Sequence, residues 1–212
     1  MLLLAVGLLL FLGVHSARIV APDWRERMIG RIGEGGWKGI YALLSLGGLV
    51  LVGRGWKAAE PLPLYEPLGF APALLLIAMP ILLVLAVAGN LPAGRIRRAA
   101  GHPMLLATVG WGALHVLANG DARAVLLFGG FALWAALDMA SLLRRERVAS
   151  GVGSADGTPL ATGAGPHGAA APSSVATLPW WPDIVAVLTG LVLYAWLVRG
   201  GHVSLFGVSP LG

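Results

Sequence analysis

The chain has 212 residues, of which 57% are hydrophobic and only 12% are charged, and its mean hydropathy is +0.80. Soluble domains carry about 25% charged and about 45–50% apolar residues, because their surfaces must meet water. The composition therefore excludes a soluble globular protein and places the chain in a lipid bilayer. The absence of cysteine excludes disulfides, thiolate metal sites and iron–sulfur clusters. The net charge of +5 is not gathered in one patch, which argues against a nucleic-acid partner.

Several stretches are long and apolar enough to cross a bilayer, since a spanning helix needs about 20 mostly apolar residues. We therefore predict an all-α fold, a bundle of six transmembrane helices that forms one domain over residues 1–212. No positive residue precedes the first stretch, so we interpret it as a retained span rather than a cleaved signal peptide. The predicted spans are approximately residues 1–20, 37–56, 70–89, 103–119, 123–143 and 183–200.

The fifteen lysines and arginines are distributed unequally between the two membrane faces. Eleven of them flank the first, third and fifth connections, and four lie on the other side. Cytoplasmic loops are enriched in positive residues. This distribution predicts a multi-pass protein of a bacterial inner (plasma) membrane, with both termini in the periplasm.

Two connections have a distinctive composition. In residues 22–37, Trp24 and Met28 lie four apart, which is typical of a short amphipathic helix on an anionic membrane surface. A solvated charged loop is the alternative. Residues 148–179 consist mostly of Ala, Gly, Ser, Thr and Pro, and they predict a flexible cytoplasmic linker between spans five and six.

Polar side chains within spans are costly in lipid, so each one is a candidate functional residue. His15 is the only imidazole in the first span, and His115 lies inside the fourth span. Trp111 and Asn119 lie four residues before and after His115, so they share its helical face. The sequence allows Asn119 to hold His115 directly or to contact whatever His115 binds.

Two charged residues lie near the cytoplasmic ends of spans. Arg18 follows His15 by three residues, and Asp138 lies in the fifth span at a similar predicted depth. We predict that Arg18 and Asp138 pair across the bundle. Arg144, on the same helix as Asp138, is the alternative partner.

Neutral imidazole is a common metal ligand, and histidine often holds haem iron. His15 and His115, on different helices of a chain without cysteine, are compatible with bis-histidine haem ligation, and His102 is a substitute ligand. A zinc site built from the three histidines is an alternative. A third possibility is a structural role, in which the histidines only form hydrogen bonds between helices.

Depth limits the pairing of these histidines. With a rise of ~1.5 Å per residue, His15 lies roughly 8–10 Å from the cytoplasmic end of its span, and His115 roughly 18–20 Å. Because axial ligands lie at similar heights, helix tilt or shifted helix starts must close this gap. Otherwise His102 pairs with His15 instead.

The sequence resembles the NnrU family of integral membrane proteins. The matching stretches are GVHSAR at 13–18, GHPM at 101–104 and WGALHVLANGD at 111–121. The resemblance extends over the whole chain except residues 148–179. Gly101 is a departure, because the family usually has arginine before the HPM motif.

NnrU proteins are linked to denitrification, in the production of active nitrite and nitric-oxide reductases, and they are distantly similar to the haem-b enzyme 15-cis-zeta-carotene isomerase. The resemblance implies a haem b with His15 and His115 as axial ligands, and with Asn119 and Arg18 as further contacts. It implies isomerase-like chemistry on a lipophilic substrate, or reductase components as partners. The alternatives are a non-enzymatic maturation or regulatory factor without cofactor, and a small-molecule pathway along the histidines.

Overall fold

The computed structural model describes residues 1–155 and 178–210, and every regular element in these residues is helical. The predicted all-α class is confirmed. Two of the long helices contain a π-helical turn, Val125–Gly129 before α7 and Leu197–Gly201 after α8. The helices are α1 (Leu2–Val20), α2 (Pro22–Ala58), α3 (Ala71–Asn90), α4 (Arg95–Ala100), α5 (Pro103–Asn119), α6 (Ala122–Ala124), α7 (Gly130–Ala155), α8 (Trp181–Trp196) and α9 (His202–Phe206).

Five helical stretches in the described residues are long and apolar enough to cross a membrane, as expected for a multi-pass membrane protein. The fourth predicted span corresponds to α5, which has 17 residues and measures about 25 Å. This is slightly less than the ~30 Å of a bilayer's hydrocarbon core. The total of six spans therefore stays a prediction. The five stretches are Leu2–Val20, Pro22–Ala58, Ala71–Asn90, Ala122–Ser150 and Trp181–Phe206.

The long helices pack against one another in the order α2, α1, α7, α5, α3 and α8. Glycines bring α1 and α2 unusually close together. A Cβ atom at Gly7 would lie 2.6 Å from the Val52 nitrogen, and one at Gly48 would lie 2.8 Å from the Phe11 nitrogen. Lipid supplies no hydrophobic drive between helices, so such close van der Waals contact stabilises the pair.

The first, third and fifth connections meet at one end of the bundle, which we call the basic end. There Asp183, at the start of α8, accepts hydrogen bonds from the backbone N–H groups of Arg95 at 2.9 Å and Ile96 at 3.0 Å. This contact holds α8 against the third connection. At the opposite end, the far end, the Leu64 N–H donates to the carbonyl of Gly120 at 2.9 Å.

A break at Gly33 divides α2 into an arm (residues 22–32) and a stem (residues 34–58). Gly33 has φ 76° and ψ 162°, a region of backbone conformation that is open almost only to glycine. Trp24 of the arm contacts Trp37 of the stem edge to face, with ring centroids 5.8 Å apart. The arm is a short helix, which agrees with the first of the two interpretations of this connection rather than with a loop. The contact between Trp24 and Trp37 folds it back onto the stem.

The fifth connection begins later than the sequence indicates. α7 continues through Ala155, so the first residues of the predicted 148–179 linker are helical. The part of that linker at 156–177 lies outside the described residues.

Candidate functional site

His15 lies in the last two turns of α1, among aromatic rings. Its Nδ1 is 2.7 Å from the carbonyl oxygen of Phe11. Because a carbonyl only accepts, Nδ1 carries a proton, and in the neutral imidazole Nε2 is then the nitrogen with the lone pair. The imidazole stacks on Phe11 at 4.2 Å and lies 5.0 Å from the Tyr41 ring and 5.9 Å from the Trp134 ring.

His15 lines a cavity of about 460 Å³ near the basic end, between α1, α2, α5 and α7. Ligand sites in proteins usually measure about 300–1,000 Å³. Trp37, Tyr41 and Trp134 give the cavity aromatic walls. The Trp134 Nε1–H is buried and has no acceptor among the described residues.

The predicted pair of Arg18 and Asp138 is present at the wall of this cavity. Arg18 Nη2 lies 3.3 Å from Oδ2 and 3.5 Å from Oδ1 of Asp138. Asp138 is buried, whereas the Arg18 side chain remains half exposed. The Arg145 guanidinium donates to the Arg18 carbonyl at 3.1 Å, which adds a second link between the ends of α1 and α7.

Two further cations line the cavity from α2. Lys38 Nζ lies 2.8 Å from Glu34 Oε1. The Arg25 guanidinium lies over the Trp37 ring, 5.9 Å from its centroid. Within residues 1–155 and 178–210, no carboxylate is within ion-pair distance of Arg25. Arg25 is therefore the cation of the cavity that has no acidic partner there.

His115 is buried in α5, outside the residues that line the cavity. Its Nδ1 is 2.8 Å from the Trp111 carbonyl oxygen, so it has the same tautomer as His15. Its ring stacks on Phe128 at 4.5 Å. The Asn119 side chain donates to the His115 backbone carbonyl at 2.7 Å, and thus supports the helix rather than the imidazole.

Three aromatic rings stand between the two histidines. From His15 to His115 they are those of Phe11, Phe131 and Trp111, and successive ring centroids lie 4.2, 5.6, 5.7 and 5.3 Å apart. His15 and His115 therefore do not face a common space in this structure.

The depths of the two histidines can be compared along α7 and the π-helical turn before it. His15 contacts Trp134, and His115 contacts Phe128. Phe128 and Trp134 are six residues apart, which corresponds to a difference in depth of ~9 Å along the helix. The gap in depth that the sequence indicates is thus present in the folded chain.

His102 does not line the cavity beside His15. It precedes α5 at the basic end, and its Nε2 lies 3.3 Å from Glu146 Oε1. The part of the chain that the structure describes contains no group of three or more His, Asp or Glu side chains that could hold a metal ion. The histidines therefore do not assemble into the alternative zinc site within those residues.

Sequence reasoning missed the aromatic and cationic walls contributed by α2. Trp37 and Tyr41 lie four residues apart, a spacing that places both rings on one helical face. This spacing, together with the few polar residues that follow, could have indicated a helical face that contacts a ligand. The position of Arg25 had no such indication, because it depends on the break at Gly33.

The chain has no significant match among curated proteins or among solved structures. A family model described as "NnrU protein" matches residues 3–210, nearly the whole chain. The chain therefore belongs to the NnrU family, and its long apolar helices are those of a membrane protein.

Proposed function

We propose that this protein binds haem b in the cavity beside His15. The observation that carries the proposal is the position of His15, which lines the cavity while its Nδ1–H is held by the Phe11 carbonyl. In the neutral ring this arrangement leaves the Nε2 lone pair available to a metal. A hydrogen bond from the second ring nitrogen to a carbonyl is typical of metal-binding histidines. Trp37 and Tyr41 give a flat apolar ligand contact area, and Arg18, paired with Asp138, lines the same cavity.

His115 is less well placed than His15 to hold a haem in this cavity. His115 does not line this cavity and differs from His15 in depth by ~9 Å, so it would hold the same haem only if α5 moved relative to α1. Haem b supplies iron for one-electron or oxygen chemistry. The part of this chain would be to hold the iron through His15 and to place aromatic side chains against the haem.

The absorption spectrum of the purified protein tests the proposal. Protein from haem-supplemented cells, in detergent, is expected to show a Soret band in the oxidised and reduced states. His15→Ala should abolish the band, while His102→Ala, the matched control at the Glu146 contact, should keep it. Loss of the band in His115→Ala as well would assign both axial positions. A wild-type protein without a Soret band overturns the proposal.

We further propose that the protein acts in the bacterial inner membrane in the production of active nitrite and nitric-oxide reductases. Its family membership and its apolar helices support this role. Deletion of the gene in a denitrifying host should lower nitric-oxide reductase activity. Unchanged activity would contradict this role and would favour the other activity implied by the resemblance, isomerase-like chemistry on a lipophilic substrate.

A second candidate function is a maturation or regulatory factor that needs no cofactor. It is favoured by the hydrogen-bond partners that His115, Asn119 and Asp138 already have within the bundle. Polar groups satisfied in this way can serve helix packing alone. A His15→Ala variant that fully restores reductase activity to the deletion strain would support this candidate over haem binding.

A further inference from the structure

We propose that Arg25 binds the carboxylate of an amphipathic ligand seated in the cavity beside His15. The inference shares with the proposed haem function the idea that this cavity holds a ligand. It adds the residue that recognises the ligand's polar end, and it also covers ligands without iron.

Arg25 reaches the cavity only because α2 is broken. Arg25 and Trp37 are twelve residues apart, which is ~18 Å along a continuous helix. Instead, the guanidinium carbon lies 5.9 Å from the centre of the Trp37 ring, since the arm folds back at Gly33. Both residues line the cavity, and the cation–π contact holds Arg25 there without neutralising it.

The charge balance of the cavity wall singles out Arg25. Arg18 is paired with Asp138 at 3.3 Å, and Lys38 is paired with Glu34 at 2.8 Å. In the described ranges Arg25 contacts an aromatic ring and no carboxylate, so three cations against two carboxylates leave one positive charge at its position. Arg25 is also only partly exposed, which strengthens its attraction for an anion relative to a fully hydrated arginine.

The remaining wall defines the rest of the ligand. Trp37, Tyr41 and Trp134 give the wall beside Arg25 an aromatic, apolar character. A planar or elongated apolar body with a carboxylate at one edge fits such a wall next to an arginine, because arginine binds carboxylates through parallel hydrogen bonds. Two sources share this chemistry: a haem propionate and the headgroup of a fatty-acid-like lipid.

The test pairs each acid with its uncharged ester. Full-length protein in nanodiscs of zwitterionic lipid is titrated with haem b or haem b dimethyl ester, followed by absorption. In parallel it is titrated with oleate or methyl oleate, followed by tryptophan fluorescence. The variants are Arg25→Gln and, as matched control on the exposed side of the same arm, Arg27→Gln.

Arg25→Gln is expected to weaken binding of an acid by about tenfold or more, as for the loss of a charged hydrogen bond, and to leave its ester unchanged. Arg27→Gln should change neither. The acid that shows the effect identifies the source of the carboxylate. Equal weakening of acid and ester, or no weakening at all, overturns the inference.

The two proposals fail in different ways. Wild-type protein that rejects haem but binds oleate in an Arg25-dependent manner refutes haem binding and supports the carboxylate site. If the wild type and Arg25→Gln bind haem with the same affinity, and oleate binding is equally unchanged by the substitution, haem binding is supported and the carboxylate site is refuted. Wild-type protein that binds none of the four compounds overturns both.

Discussion

The Arg18 guanidinium lies 3.3 Å from the Asp138 carboxylate and joins α1 to α7 across 120 residues of sequence. Asp138 is only 5% exposed, whereas the Arg18 side chain is 55% exposed. The arginine therefore reaches from the basic end to a carboxylate that would be costly to bury alone. The pair lies beside His15 and forms part of the cavity wall.

Removal of Arg18 should destabilise the protein because it leaves Asp138 without its cation. We expect Arg18→Ala to lower the free energy of unfolding by about 1–2 kcal/mol, discounted for the exposure of the arginine. Asp138→Asn in the same chain should recover part of that loss. Thermal unfolding in detergent measures both effects, and strictly additive losses in the double variant would contradict the coupling. Arg27→Ala is the exposed control.

The contact between α1 and α2 should be sensitive to a single methyl group. Gly7→Ala would put a Cβ atom 2.6 Å from the Val52 nitrogen, and the two helices must separate to accept it. We expect a loss of about 1–3 kcal/mol in stability. Gly13→Ala on the same helix meets no atom within 4 Å and should be neutral. If both variants unfold at the same temperature, the close packing is not a source of stability.

A side chain at Gly33 should release the arm from the stem. Gly33→Ala forces alanine toward φ 76°, which costs about 1–3 kcal/mol, although no atom lies within 4 Å of the new methyl group. The strain is relieved if the arm unfolds or reorients. We expect faster cleavage by trypsin at the arginines of the arm. Gly30→Ala, also in open space but with ordinary dihedral angles, should be cleaved like the wild type.

The orientation in the membrane can be measured directly because the chain has no cysteine. Single cysteines are introduced as Glu66→Cys in the far-end loop and as Arg147→Cys at the basic end. On intact spheroplasts, a membrane-impermeant maleimide should label the first and not the second, as the positive-inside rule predicts. The reverse pattern would place the cavity at the periplasmic face.

Much of the fold follows from the sequence because lipid imposes strong constraints. Apolar length marks the spans, and the cost of a lone charge in lipid makes Arg18 and Asp138 natural partners. The depths of His15 and His115 follow from helical rise alone. In contrast, the total of six spans depends on α5, whose 17 residues lie at the margin of what crosses a bilayer.

The cavity was harder to predict because it depends on one backbone angle. Residues 30–36 contain four glycines, and nothing in their spacing shows which one takes a positive φ. Only the break at Gly33 brings Arg25 beside Trp37. In a similar way, the separation of the two histidines depends on aromatic side chains from three helices, and helical periodicity does not give their arrangement between helices.

The pairing of α1 with α7 also constrains how the chain is assembled. Helices enter the membrane in order of synthesis, so α1 and α2 are in place long before α7 leaves the ribosome. When Asp138 enters the bilayer, its partner Arg18 is therefore already present at the basic end. The cavity beside His15 has no fourth wall until that moment, so it forms as a late step of biogenesis. A ligand that contacts all four helices can therefore bind only after α7 has inserted.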